Sequence, residues 1–164
     1  MHLGFFSDGF RYAILLSIDV SSFELASGSG RDIRRRYGIS ESATVVFFHG
    51  TLHYWPNAEA VRFIADQLIP ALDSHLDIVF MIVGMSPPES IRRPEIIFTG
   101  PVDELAAHID AANICICPLF AGGGTRLKLL EYLASGKPTL STAKGAEGIV
   151  HHGAIQLAET PVEM

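Results

Sequence analysis

Three segments of this chain are too apolar to face water on either side: 43–49 (ATVVFFH), 78–83 (IVFMIV) and 113–118 (NICICP). A strand with one wet face alternates apolar and polar residues, because successive side chains point to opposite faces. A strand that does not alternate is covered on both faces, and such strands belong to parallel sheets sandwiched by helices. Shorter segments at 95–99, 139–142 and 154–157 read as further strands. Between them lie helical patterns. In the first, Ala60, Val61, Phe63, Ile64, Leu68 and Ile69 recur at three-four spacing, after Pro56 in the first turn and with Glu59 near the N-terminus. Pro70 is expected to kink that helix. The second spans 102–112, with Leu105, Ala106 and Ile109 on one face. The third spans 125–134 and is stopped by Ser135, Gly136 and Pro138. Strand and helix in alternation predict an α/β fold: a Rossmann-like open parallel sheet of about six strands, helices on both faces, joined by right-handed crossovers.

The stretch 118–138 (PLFAGGGTRLKLLEYLASGKP) carries the chemistry. A buried strand runs into Gly122, Gly123 and Gly124, and a helix follows. Glycines let backbone N–H groups approach an anion closely, and the N–H groups of a first helical turn have no partner inside the helix. Arg126 and Lys128 fall in that first turn, where a cation opposes the helix dipole by about 0.3–1 kcal/mol. A bound diphosphate would reverse that sign. Glu131, one turn on, offers a carboxylate to sugar hydroxyls. In an open parallel sheet ligands bind at the carboxyl edge. There the loop Gly50-Thr51, after the first strand, is expected to meet the loop from Gly122 to Lys128.

Charge and composition narrow the function classes. The net charge of −6 gives no electrostatic support to a nucleic-acid role. No run of about 18 apolar residues is present, so no membrane-spanning helix is expected, and the N-terminus lacks the basic start of a signal peptide. Cys115 and Cys117 alternate along one strand, a spacing poorly shaped for a disulfide; they read as small apolar residues of a reduced core. The histidines do not cluster with acids at ligand spacing, so no metal site is expected. Residues 1–30 are expected to be a linker or the remnant of a preceding domain, with Ser27 to Gly30 as flexible chain. Residues 31–37 (RDIRRRY) read as a short basic helix with its charges in water.

In this order and spacing, HGTLHYWPNAEAV, IVG, FTGPVDEL and CPLFAGGGTRLKLLEYLASGKPTLSTAKGAEGI resemble the C-terminal domain of retaining, nucleotide-sugar-dependent glycosyltransferases, the glycosyl transferases group 1 of the GT-B fold. The resemblance covers residues 43–150. It implies that residues 31–164 form a nucleotide-sugar-binding domain, one half of a GT-B fold without its closing C-terminal helices. It implies transfer of a sugar from a nucleoside diphosphate sugar to an acceptor hydroxyl, with retention, in an enzyme of hexosyltransferase type. The fragment alone is expected to be inactive, because the acceptor domain belongs to the N-terminal half. Glu131 matches the second motif glutamate, which implies hydrogen bonds to the ribose. Gly122, Gly123, Gly124 and Thr125 match the loop that meets the donor phosphates, and Gly50 and Thr51 the loop bordering the donor. Arg126 and Lys128 match the basic pair of the GGGTRLK type and are the expected stabilisers of the leaving diphosphate. No general base, cofactor or metal is implied.

Two departures stand out. The family's first motif glutamate lies eight positions before the second, and Gly123 occupies that place. Many relatives carry an arginine and a lysine after the first strand, and HGTLHYWPN has neither. The resemblance further implies a cytoplasmic protein, with peripheral association at the inner membrane face as an option for the full enzyme. The alternatives are a non-catalytic nucleotide-binding module of the same fold, or a domain like those of sugar-nucleotide epimerases.

Overall fold

The computed structural model describes residues 18–124 and 126–164. Six strands, β1 (Thr44–His49), β2 (Ile78–Val83), β3 (Ile96–Gly100), β4 (Ile114–Cys117), β5 (Thr139–Ser141) and β6 (Ile155–Leu157), form one sheet in the order β3-β2-β1-β4-β5-β6. Every neighbouring pair is parallel. The chain starts in the middle, winds outward to β3, returns beside β1 and winds out the other way. That reversal places a crevice between the carboxyl ends of β1 and β4.

The apolar runs do what their composition requires. Val45, Val46, Phe47 and Phe48 are consecutive in β1 and all buried, so both faces of the strand are covered. On one face Val46, Phe80 and Ile116 line a small apolar crevice together with Leu68 and Leu72. On the other, the Phe47 ring meets the edge of Tyr132 at 6.0 Å between centroids.

The first of these layers is α3 (Trp55–Phe63), a π-helical turn (Ile64–Leu68) and α4 (Ile69–Ala71). Pro56 lies in the first turn of α3, where its missing N–H costs nothing. Pro70 was the expected kink. The helix instead widens just before it: the Ile69 N–H reaches back five residues to the Ile64 carbonyl. A wider turn is one way to absorb a proline that cannot complete the regular ladder.

The opposite layer holds α5 (Leu105–Asp110), shorter than the expected 102–112, and α6 (Leu127–Ala134). Two further helices, α1 (Val20–Leu25) and α2 (Gly30–Arg36), lie against it: α1 packs on α5 and α6, and α2 on α5. The segment read as flexible chain therefore differs in its described part. Asp19 caps α1 by accepting from the Ser21 N–H. The N–H groups of Gly28 and Gly30 both donate to Asp110, at 2.8 and 2.9 Å. Residues 1–17 of that stretch lie outside the described residues.

The basic helix also differs at one position. Arg31, Arg35 and Arg36 face water, but Arg34 turns inward. It donates to the Ala111 and Ala43 carbonyls (2.9 and 3.0 Å) and to Asn113 Oδ1 (2.6 Å). Asn113 Oδ1 also accepts from the Val45 N–H at 2.7 Å, so this fork braces the start of β1 against the start of β4. Among the described residues no helix is long and apolar enough to cross a membrane.

Candidate functional site

The two loops expected to meet at the carboxyl edge do meet. The first follows β1 and holds Gly50 and Thr51; the second follows β4 and holds Gly122, Gly123 and Gly124. Gly122 has φ +93°, and a Cβ there would stand 2.8 Å from Pro56 Cγ and 3.3 Å from Tyr54 Oη. Only glycine meets both the backbone angle and the close approach. Thr51, Gly123 and Gly124 are exposed at the rim, and Gly50 and Gly122 are half-buried. Thr125, expected in the phosphate-facing loop, lies outside the described residues.

Lys128 and Arg126 play unlike parts. Lys128 reaches from the first turn of α6 to the opposite loop. Its Nζ donates to Asn57 Oδ1 at 2.8 Å and stands 4.2 Å from the centre of the Phe48 ring. Asn57 Nδ2 in turn donates to the Thr51 carbonyl at 3.0 Å. Burial pushes the Lys128 ammonium down to about 8; Arg126 pushes the same way, while Cys117 and Glu131 oppose.

Arg126, by contrast, is 7% exposed. Its guanidinium donates to the carbonyls of Gly123 (3.3 Å), Gly122 (3.2 Å) and Lys144 (3.1 Å), and lies 3.5 Å from Glu147. In a trans peptide the N–H points opposite to its C=O. Carbonyls of Gly122 and Gly123 drawn in to Arg126 therefore turn the N–H groups of Gly123 and Gly124 away from it, toward the open side of the loop.

Glu131 lines a cleft of about 920 Å³ between α6 and α5, bordered by α1 and α2; Leu127, Leu105, Phe23 and Ile33 supply its apolar lining. Behind the carboxylate stands His49, the last residue of β1. Its Nε2 is 3.0 Å from Glu131 Oε2, with the two side chains 15% and 22% exposed. Neither atom has an aligned hydrogen-bond partner among the described residues. Burial is the main cause that holds the His49 imidazole below its ordinary pKa; Glu131 opposes it and Lys128 adds to it. The His49 N–H donates to Tyr132 Oη at 3.3 Å. Among the described residues no group of three or more His, Cys, Asp or Glu could hold a metal ion.

Sequence reasoning singled out the lysine, the glycines and Glu131. It missed the residues behind them. Asn57 reads as part of a polar loop, and its only signal is its place one residue after a first-turn proline. His49 reads as the end of an apolar strand.

A parallel sheet of this order, with two loops meeting over a shared lysine at its reversal point, defines a Rossmann-like α/β domain. The family is narrower: a model described as glycosyl transferases group 1 matches residues 43–162, and the chain belongs to that family. No curated protein sequence matches it.

Among solved structures it is similar to a glycosyltransferase from Rickettsia africae (TM-score 0.70, 12% identity, 89% of this chain and 42% of that one). It is also similar to HepE from Anabaena, solved with UDP and glucose (0.66, 16%, 89% and 43%). A third is the C-terminal domain of the group 1 family protein LpcC from Francisella tularensis (0.59, 18%, 88% and 82%). At such identities these likenesses show the fold. The chain spans less than half the length of the first two.

Proposed function

We propose that this chain is the donor-binding domain of a retaining glycosyltransferase, which holds a nucleoside diphosphate sugar while an acceptor domain presents a hydroxyl. The observation that carries the reading is the convergence of two loops over one half-buried lysine, in a chain of this family that also places Glu131 on a cleft. Glu131 accepts from the ribose hydroxyls. Lys128 and the N–H groups of Gly123 and Gly124 face the diphosphate, with Gly50, Thr51, Gly122 and Thr125 completing the rim.

As the bond between sugar and diphosphate breaks, charge grows on the leaving oxygens. Donors fixed in advance stabilise that charge more than the ground state. Arg126 adds a positive charge from beneath the loop and holds its amides outward. HepE was solved with UDP-glucose, which supports a nucleoside diphosphate hexose as the donor class here. In this reading the acceptor site is supplied from outside this chain, and the domain alone is inactive. In the same reading the full enzyme is cytoplasmic, with peripheral association at the inner membrane face as an option.

Gly123 favours one second reading. With the first motif glutamate gone, the site could bind nucleotide without turning it over, and a transfer assay on the full-length protein separates the two.

The primary test is thermal unfolding with UDP, GDP, ADP or TDP. A ligand at about 100 times its Kd adds about 2.7 kcal/mol, which is several degrees at about 2–4 °C per kcal/mol. One nucleotide should raise Tm in the wild type and not in Glu131→Ala. No shift with any of them would refute the donor site.

A further inference from the structure

One turn of α3 touches both loops of the site, and its central side chain is Asn57. That side chain is 7% exposed, in the company of the apolar core. A buried carboxamide without partners is costly, so its bonds define its purpose. It has one acceptor and one pair of donors, and here they face different loops. Lys128 can only donate and the Thr51 carbonyl can only accept, so Oδ1 must face Lys128 (2.8 Å) and Nδ2 must face Thr51 (3.0 Å). A third side is closed by Gly50, where a Cβ would stand 2.7 Å from Asn57 Nδ2. The neighbouring Pro56 is in contact range of Gly122. The amide is thus fixed against the β1 loop, and it holds the lysine that arrives from the β4 side.

We infer that Asn57 is the positioning residue of the anion site: it fixes the Lys128 ammonium between the two loops while leaving its charge uncompensated for the ligand. The inference rests on the donor-binding reading above. Neutrality is the point of the choice. An aspartate has nearly the same shape and would hold the amine as firmly. It would also neutralise the charge meant for the diphosphate, and it could not donate to Thr51. The other charged or titratable groups facing Lys128 are Arg126 before α6, Glu131 on α6, Cys117 on β4 and His49 on β1. Of these only Glu131 is a carboxylate, and it is the one assigned to the ribose. A second anion at position 57 would close the site to phosphate.

The test compares wild type, Asn57→Asp and Asn57→Ser by calorimetric titration with inorganic pyrophosphate, and by NMR titration of the Lys128 ε-methylene without ligand. Loss of one charge-assisted contact corresponds to about tenfold to a hundredfold in affinity. Asn57→Asp should weaken pyrophosphate by that factor and move the Lys128 midpoint upward from about 8. A purely structural amide would change Tm and leave pyrophosphate affinity unchanged. Asn57→Ser, too short to reach the amine, should lose affinity as well, and it carries the test if the aspartate variant does not fold. Wild-type binding with affinity unchanged within about twofold in the variants overturns the inference alone. Failure of the wild type to bind pyrophosphate or any nucleoside diphosphate overturns the donor reading, and the inference with it.

Discussion

Replacing Lys128 by methionine should leave stability at neutral pH nearly unchanged while removing a distinct alkaline gain. Burial holds the ammonium at about 8 against an ordinary 10.5. At about 1.36 kcal/mol per pKa unit, keeping this charge costs the folded state about 3 kcal/mol at neutral pH. Methionine removes that cost. It also leaves Asn57 Oδ1 without its donor, at about 1–3 kcal/mol, and the Phe48 ring without its cation, at about 0.5–2 kcal/mol. The two sides nearly cancel.

The pH dependence does not cancel. Between about 8 and 10.5 the unfolded chain binds more protons at this lysine than the folded one, so stability rises with pH across that window. The wild type should gain roughly 1 kcal/mol from this group between about pH 7 and pH 9, and roughly 2–3 kcal/mol by about pH 10. The variant should not. The assay is urea unfolding of both proteins at a series of pH values, read as the difference between them. Cys115 and Cys117, whose thiols burial raises, act in the opposite sense but are common to both. Parallel profiles would refute the argument, because they would mean that Lys128 is hydrated in the folded state.

Three further outcomes follow from the same geometry. Gly122→Ala forces a side chain into φ +93° and onto Pro56; it should cost about 1–3 kcal/mol of stability and weaken nucleotide binding, as read by thermal shift with and without ligand. Arg34→Lys keeps the charge but loses the fork on Ala43, Ala111 and Asn113; with at least one buried acceptor orphaned, urea unfolding should show a loss of about 1–3 kcal/mol. Arg126→Lys should free the carbonyls of Gly122 and Gly123 and lower nucleoside diphosphate affinity by about tenfold, one missing hydrogen bond's worth, with unchanged affinity by calorimetry as the contrary result.

The strands were legible because burial on both faces leaves no choice of residue: TVVFFH and IVFMIV admit no other reading, and their bounds agree with the structure within a residue. Helix α1 was not legible. VSSFEL is too short for a period to emerge, and its order comes from packing on α5 and α6. The site divides in the same way. Lys128, the glycines and Glu131 announce themselves by type and spacing. Arg126 carries the same signal as Lys128, two residues away, yet its side chain goes beneath the loop, because an arginine fork can satisfy three carbonyls at once. Sequence shows that a cation is present, and only packing shows which way it points. Asn57 and His49 gain their place at the site from partners distant in the chain, Lys128 and Glu131.

The sheet's order has a mechanical consequence. Strands β1 to β3 form one block and β4 to β6 another, and the seam between them is the shortest pairing in the sheet, Val46 with Ile114 and Phe47 with Cys115. Arg34 and Asn113 brace its amino end, and Asn57 with Lys128 ties its carboxyl end. A ligand lying across the two loops, as proposed, would also tie the two blocks together over that seam. Occupancy should be felt far from the crevice, as slower opening of both blocks together, and a weakened tie should let them breathe apart before either melts.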